Sequence, residues 1–103
     1  MGDFYEYSAP ELVHILGKRF RDYRLRANMT QKDVADQTGL TITTIHKFES
    51  GMANNLSLGT FILLLKAVGS VDALDQLMPE LPESPYLIRN KKQKAQRIRH
   101  KKQ

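Results

Sequence analysis

The chain has 103 residues, 41% of them hydrophobic and 26% charged, with no cysteine and a formal net charge of +5. That suits one small, marginally stable domain with a tail, and it excludes disulfides and thiolate metal sites. No apolar run approaches the roughly 20 residues of a membrane span, and MGDFYEYSAP does not read as a secretory signal, so the cytoplasm is the expected location.

Residues 1–9 read as an irregular N-terminal extension in which Phe4, Tyr5 and Tyr7 pack on the domain or on a partner. Pro10 suits the first position of a helix that runs to about Ala27. At 100° per residue, Leu12, Val13, Leu16, Phe20, Tyr23 and Ala27 share one face, with Arg24 at its edge and Ile15 and Leu25 on the polar side. Asn28 is a plausible left-handed stop, and Met29 plugs the core before the next helix.

From Gln31 to Gly51 the chain reads QKDVADQTGLTITTIHKFESG, two short amphipathic segments around Thr38-Gly39-Leu40-Thr41. Thr30 caps the first segment, with Asp33 in its first turn; Gly39 ends it and Thr41 caps the second. Val34 and Ala35 face inward in the first segment, Ile45 and Phe48 in the second. The small Ala35 allows a close helix crossing. This is the layout of a helix-turn-helix, whose second helix lies in the DNA major groove.

A loop from Met52 to Leu56 follows, and Ser57 caps a fourth helix. Its inward face is expected to be Leu58, Phe61, Ile62, Leu65 and Val68, with Leu63 and Leu64 lying off it. Gly69-Ser70 leads into a short fifth helix from Val71 to Met78, with Leu74, Leu77 and Met78 inward, and Pro79 stops it. The expected organisation is therefore an extension at 1–9, a helical domain at 10–78, a Pro-rich linker at 79–88 and a basic tail at 89–103. Tyr86-Leu87-Ile88 is a brief apolar stop inside the linker. The tail carries eight Lys/Arg and no acid, which leaves residues 1–88 with eight basic and eleven acidic groups, a net −3. The positive charge of the whole chain thus belongs to the tail, which is expected to be disordered in isolation. Locally, Lys18, Arg19, Arg21, Arg24, Arg26, Lys32 and Lys47 all fall between residues 18 and 47, against Asp22, Asp33 and Asp36.

Residues 16–78 resemble the phage repressor/Cro (XRE) family of helix-turn-helix domains. The caps, the inward positions, the Gly39 turn and the Arg24/Glu49 positions carry that resemblance. It implies an all-α, five-helix repressor/Cro-like fold and sequence-specific binding of double-stranded DNA by a homodimeric repressor. The recognition helix spans about residues 41–50. The matching base-reading positions are Ile42, Thr43 and Lys47. Lysine donates to guanine O6/N7, while Ile and the Thr methyl meet a thymine methyl. The Gln-rich readers common in phage repressors are absent. Phosphate contacts fall by resemblance on Gln31, Thr41, Thr44, Asn54 and Asn55, although Gln31 is also a good helix former and the two Asn are good loop formers. Arg24 and Glu49 match the family's structural ion pair. The surplus apolar Leu63, Leu64, Val71 and Leu74 read either as a fuller core or as an isologous dimer patch.

No catalytic constellation is present. His46 reads as a solvated helix residue, His14 and His100 lack partners at ligand spacing, and Asp72 and Asp75 read as first-turn acids, so no enzyme, metal or cofactor is expected. The five-helix domain followed by LPELPESPYLIRNKKQKAQRIRHKK also resembles the antitoxin partners of HipA-type kinase toxins, which adds such a kinase as a possible partner. A different reading is a protein-interaction or bridging module that grips nucleic acid only non-specifically, through the tail.

Overall fold

The computed structural model describes residues 3–83. Among them are a 3₁₀ turn at Phe4–Glu6 and five helices: α1 (Ala9–Arg26), α2 (Gln31–Thr38), α3 (Ile42–Ser50), α4 (Leu58–Ala67) and α5 (Ala73–Leu77). The Tyr86-Leu87-Ile88 stop and the basic tail lie outside the described residues. Residues up to Ala73 form one compact unit, and a second begins at Leu74.

The predicted caps at Thr30, Thr41 and Ser57 form, and α1 begins at Ala9, one residue before the expected Pro10. Ser8 caps α1 in a full capping box: its Oγ accepts from Glu11 N–H at 3.2 Å and the Glu11 carboxylate accepts from Ser8 N–H at 2.9 Å. Thr30 and Asp33 repeat the arrangement on α2, at 3.0 and 2.8 Å. In both boxes the backbone N–H of the cap residue stabilises the ionised carboxylate, holding Glu11 and Asp33 below the usual carboxylate range. Thr41 and Ser57 cap α3 and α4. Gly39 (φ 78°) and Gly51 (φ 80°) take the left-handed conformation that ends α2 and α3. Asn28, at φ 56°, is the one non-glycine among the described residues with positive φ.

Phe20, Val34, Ile45, Phe48 and Leu64 form the core, with Val13, Met29, Ala35, Leu40, Leu56, Phe61, Ala67 and Val68 packed around it. Phe48 sits at its centre, 5.8 Å from the Phe20 ring and edge-on to Phe61 at 6.3 Å. Burying side chains of this size contributes about 1.5–3 kcal/mol each. α1 packs on α3, and α2 packs on both α3 and α4.

Four expectations are corrected. Phe4–Glu6 is a 3₁₀ turn rather than irregular chain: Asp3 accepts from Tyr5 N–H, and the Phe4 ring sits under the Arg19 guanidinium at 5.6 Å. Tyr5 is exposed. The buried stripe of α1 runs through Gly17, Phe20 and Arg24, while Leu16 and Tyr23 are exposed. That stripe centres on a glycine and an arginine, which no hydrophobic wheel scores as inward.

On α4, Leu64 is fully buried and Leu58 is 66% exposed, so its inward face is Phe61, Leu64 and Val68. Leu64 is therefore a core residue and not a dimer contact. Finally, α5 has five residues rather than the eight expected, and Leu77 and Met78 are exposed rather than inward. A helix of little more than one turn has few positions with which to build a buried stripe.

Candidate DNA-binding interface

α3 presents two chemically distinct sides. Ile45, Phe48 and Glu49 are buried, whereas Thr43, His46, Lys47 and Ser50 are exposed away from them and Ile42 is exposed at the first position of the helix. Thr43 and Lys47 are one turn apart, and Ile42 opens the helix at 45% exposure. The three expected base readers are therefore all solvent-facing: Thr43 and Lys47 share one strip and Ile42 lies at the N-terminal edge, together offering an ammonium donor, a hydroxyl and two aliphatic groups.

The buried side of α3 is held against α1 by two devices. The first is Gly17. A Cβ at this position would lie 1.8 Å from the carbonyl oxygen of Phe48 and 2.8 Å from its carbonyl carbon. Only a residue without a side chain lets the two backbones come so close. The second is the expected Arg24–Glu49 pair. Arg24 Nε donates to Glu49 Oε2 at 2.7 Å and Nη2 donates to Oε1 at 2.8 Å, with side chains only 8% and 2% exposed. Arg24 Nη1 also donates to the Met29 carbonyl at 2.8 Å, so the guanidinium ties the α1–α2 connection to α3. The bond to Glu49 raises the Arg24 pKa still further.

The same carboxylate reaches a third residue. Gln31, the first residue of α2, donates from Nε2 to Glu49 Oε1 at 3.2 Å. Gln31 is thus braced by the buried pair beside the α2 N-terminus. The sequence carries no direct signal for this, since the two residues are 18 positions apart.

The other expected phosphate residues sit at the ends of α3. Thr41 Oγ1 accepts from Thr44 N–H at 3.1 Å and lies 3.0 Å from Thr44 Oγ1, so both hydroxyls meet at the N-terminus of the helix. Asn54 and Asn55 are exposed in the loop beyond its C-terminus. The side-chain Oδ1 of Asn54 lies 3.2 Å from His14 Nε2 of α1 and accepts from the ring in its Nε2–H tautomer, a link across 40 residues that the helical wheel did not reveal.

The local charge is smaller than the residue count suggests. Arg24 is buried and neutralised by Glu49, and Lys32 pairs with Asp36 at 3.1 Å one turn along α2. Lys18, Arg21, Arg26 and Lys47 are exposed cations of the first unit. No helix among the described residues is long and apolar enough to cross a membrane, and none of their His, Asp and Glu residues group to hold a metal ion.

The family model described as Helix-turn-helix (HTH_3) matches residues 20–75, more than half of the chain, from the second half of α1 into α5. A comparison with curated proteins returns no match. The caps, the Gly39 turn, the two-sided α3 and the family match agree, and the chain belongs to the XRE, or Cro/C1-like, helix-turn-helix family of DNA-binding transcription regulators.

Proposed function

We propose that this regulator is a homodimeric, sequence-specific repressor that lays α3 in the major groove of a palindromic operator. The observation that carries this reading is the division of α3: Ile42, Thr43 and Lys47 face solvent while the opposite side is locked to α1. In this mode Lys47 donates to guanine O6/N7, and Ile42 and Thr43 contact thymine methyls. Gln31, held by Glu49, donates its second amide proton to a backbone phosphate beside the α2 N-terminus, where the helix dipole favours negative charge. Thr41 and Thr44 bind phosphate at one end of α3, and Asn54 and Asn55 bind at the other.

Dimerisation would place two α3 helices about 34–36 Å apart, one turn of DNA. Leu63, 40% exposed on α4, supports a pairing surface there, and Val71 and Leu74 remain proposed contacts of the partner chain. Selection from a random duplex pool by the full chain is expected to recover a palindrome with half-sites about 10 bp apart. Lys47→Ala should weaken binding to that duplex about tenfold and relax the preference at one guanine per half-site, a base contact of about 1–3 kcal/mol. A single asymmetric site, or unchanged affinity in Lys47→Ala, contradicts this mode.

We further propose that the repressor is an autoregulating antitoxin paired with a HipA-type kinase. The support is the composition of residues 79–103, a Pro-rich linker followed by a basic terminus. The test is co-expression with the product of the neighbouring gene. A stable complex with a kinase chain is expected, and its failure to form would leave the protein a stand-alone repressor.

A further inference from the structure

We propose that His14 is a positioning residue for DNA binding: it fixes the amide of Asn54 in the one orientation that donates to a backbone phosphate. This rests on the proposed DNA-binding mode and adds a residue on α1 that the mode did not include. Phosphate oxygens only accept hydrogen bonds, so an asparagine serves them only through its nitrogen. A solvent-exposed amide is able to turn either end outward. Here the Asn54 Oδ1 lies 3.2 Å from His14 Nε2, so the ring holds that oxygen as its Nε2–H tautomer and leaves the Asn54 NH₂ group to donate elsewhere.

Two further constraints fix the position as well as the orientation. The Lys47 carbonyl accepts from the backbone N–H groups of Gly51, Met52 and Ala53, which holds the chain up to the residue before Asn54. The His14 ring lies over Gly51, the left-handed residue that ends α3: a Cβ there would be 3.9 Å from His14 Cγ. Asn54 is therefore set by the C-terminus of the recognition helix on one side and by α1 on the other. His14 itself is half-buried, so its ring has limited freedom to leave. The ligand this arrangement suits is a phosphodiester oxygen beside the recognition helix, bound whatever the base sequence.

The experiment is a double-mutant cycle on the affinity of the full chain for a labelled duplex carrying the selected sequence, with thermal unfolding of each variant measured alongside. Asn54→Ala is expected to weaken binding about tenfold, as for loss of a hydrogen bond to a charged group. His14→Ala should lose most of that same factor, and the double variant should bind no more weakly than Asn54→Ala alone. His14→Gln, whose amide N–H also donates to the Asn54 oxygen, should recover part of the loss.

If His14 served only the fold, its effect would follow the unfolding midpoint and would persist unchanged in the Asn54→Ala background. That result overturns the inference, as does wild-type affinity in His14→Ala when Asn54→Ala is weakened. Wild-type affinity in Asn54→Ala removes the phosphate contact and this inference with it. In that case continued weakening by Lys47→Ala would show that base reading by α3 still holds.

Discussion

Gly17→Ala is expected to lower the midpoint of thermal unfolding by more than about 10 °C, although alanine is the better helix former. Helix propensity alone favours the substitution by about 0.5–1 kcal/mol in the middle of α1. Against it stands a Cβ that would lie 1.8 Å from the Phe48 carbonyl oxygen. The obstacle is backbone, not the end of a flexible side chain, so relief requires α1 and α3 to move apart along their whole contact. That movement also pulls Phe48 away from Phe20 and weakens the centre of the core. Overpacking of this kind costs about 1–3 kcal/mol and occasionally more, and the rigidity of both partners places Gly17 at the upper end. In a domain of this size each kcal/mol is worth about 4–8 °C in Tm. A calorimetric scan decides the sign: a raised midpoint would mean that propensity wins and the close approach is relaxed at little cost.

Arg24→Ala is expected to be more damaging, at about 3–5 kcal/mol. It leaves the Glu49 carboxylate, whose side chain is 2% exposed, without its bidentate partner, and it frees the Met29 carbonyl. A small domain holds only about 5–15 kcal/mol in total, so a large share of its stability goes with one side chain. Denaturant titration measures the loss directly. The double variant Arg24→Met/Glu49→Leu removes both charges together and should recover most of the stability, because a well-packed apolar pair often replaces a buried ion pair at little cost. It should not recover DNA affinity, since Gln31 would lose the carboxylate that braces it. Recovery of both would show that the pair serves only the fold.

These two positions mark how far the sequence could be read. The caps at Thr30, Thr41 and Ser57 and the left-handed residues Asn28 and Gly39 are local features. Each depends on residues within four positions, so the sequence displays them. The Arg24–Glu49 pair spans 25 residues and was legible only through the family resemblance.

Gly17 was missed because a glycine inside a helix reads as a cost until the backbone that needs the space is known. Leu64 was misplaced for a different reason: α4 is apolar around most of its girth, and a wheel with no polar side does not point anywhere. Only the packing of α2 on α4 selects the face. The Gln31–Glu49 and His14–Asn54 bonds join side chains across 18 and 40 positions, and no periodicity records them.

The charge distribution also limits what drives binding. Arg24 is buried and Lys32 faces Asp36 in an exposed pair, which leaves Lys18, Arg21, Arg26 and Lys47 among the exposed cations of the folded unit. Non-specific attraction to phosphate scales with the cations that displace counterions. That attraction carries no sequence information, so under the proposed mode selectivity comes from contacts placed in fixed geometry. The rigid junction of α1 and α3 supplies that geometry.

Whether the outer face of α3 reads base sequence is decided by paired selections. The wild-type chain and an Ile42→Ala/Thr43→Ala/Lys47→Ala variant would each be used to enrich a random duplex pool. All three side chains are exposed, so the variant should unfold at nearly the wild-type temperature. One enriched palindrome is expected for the wild type, and no enrichment of that sequence for the variant. Recovery of the same palindrome by both proteins would contradict base reading by that face.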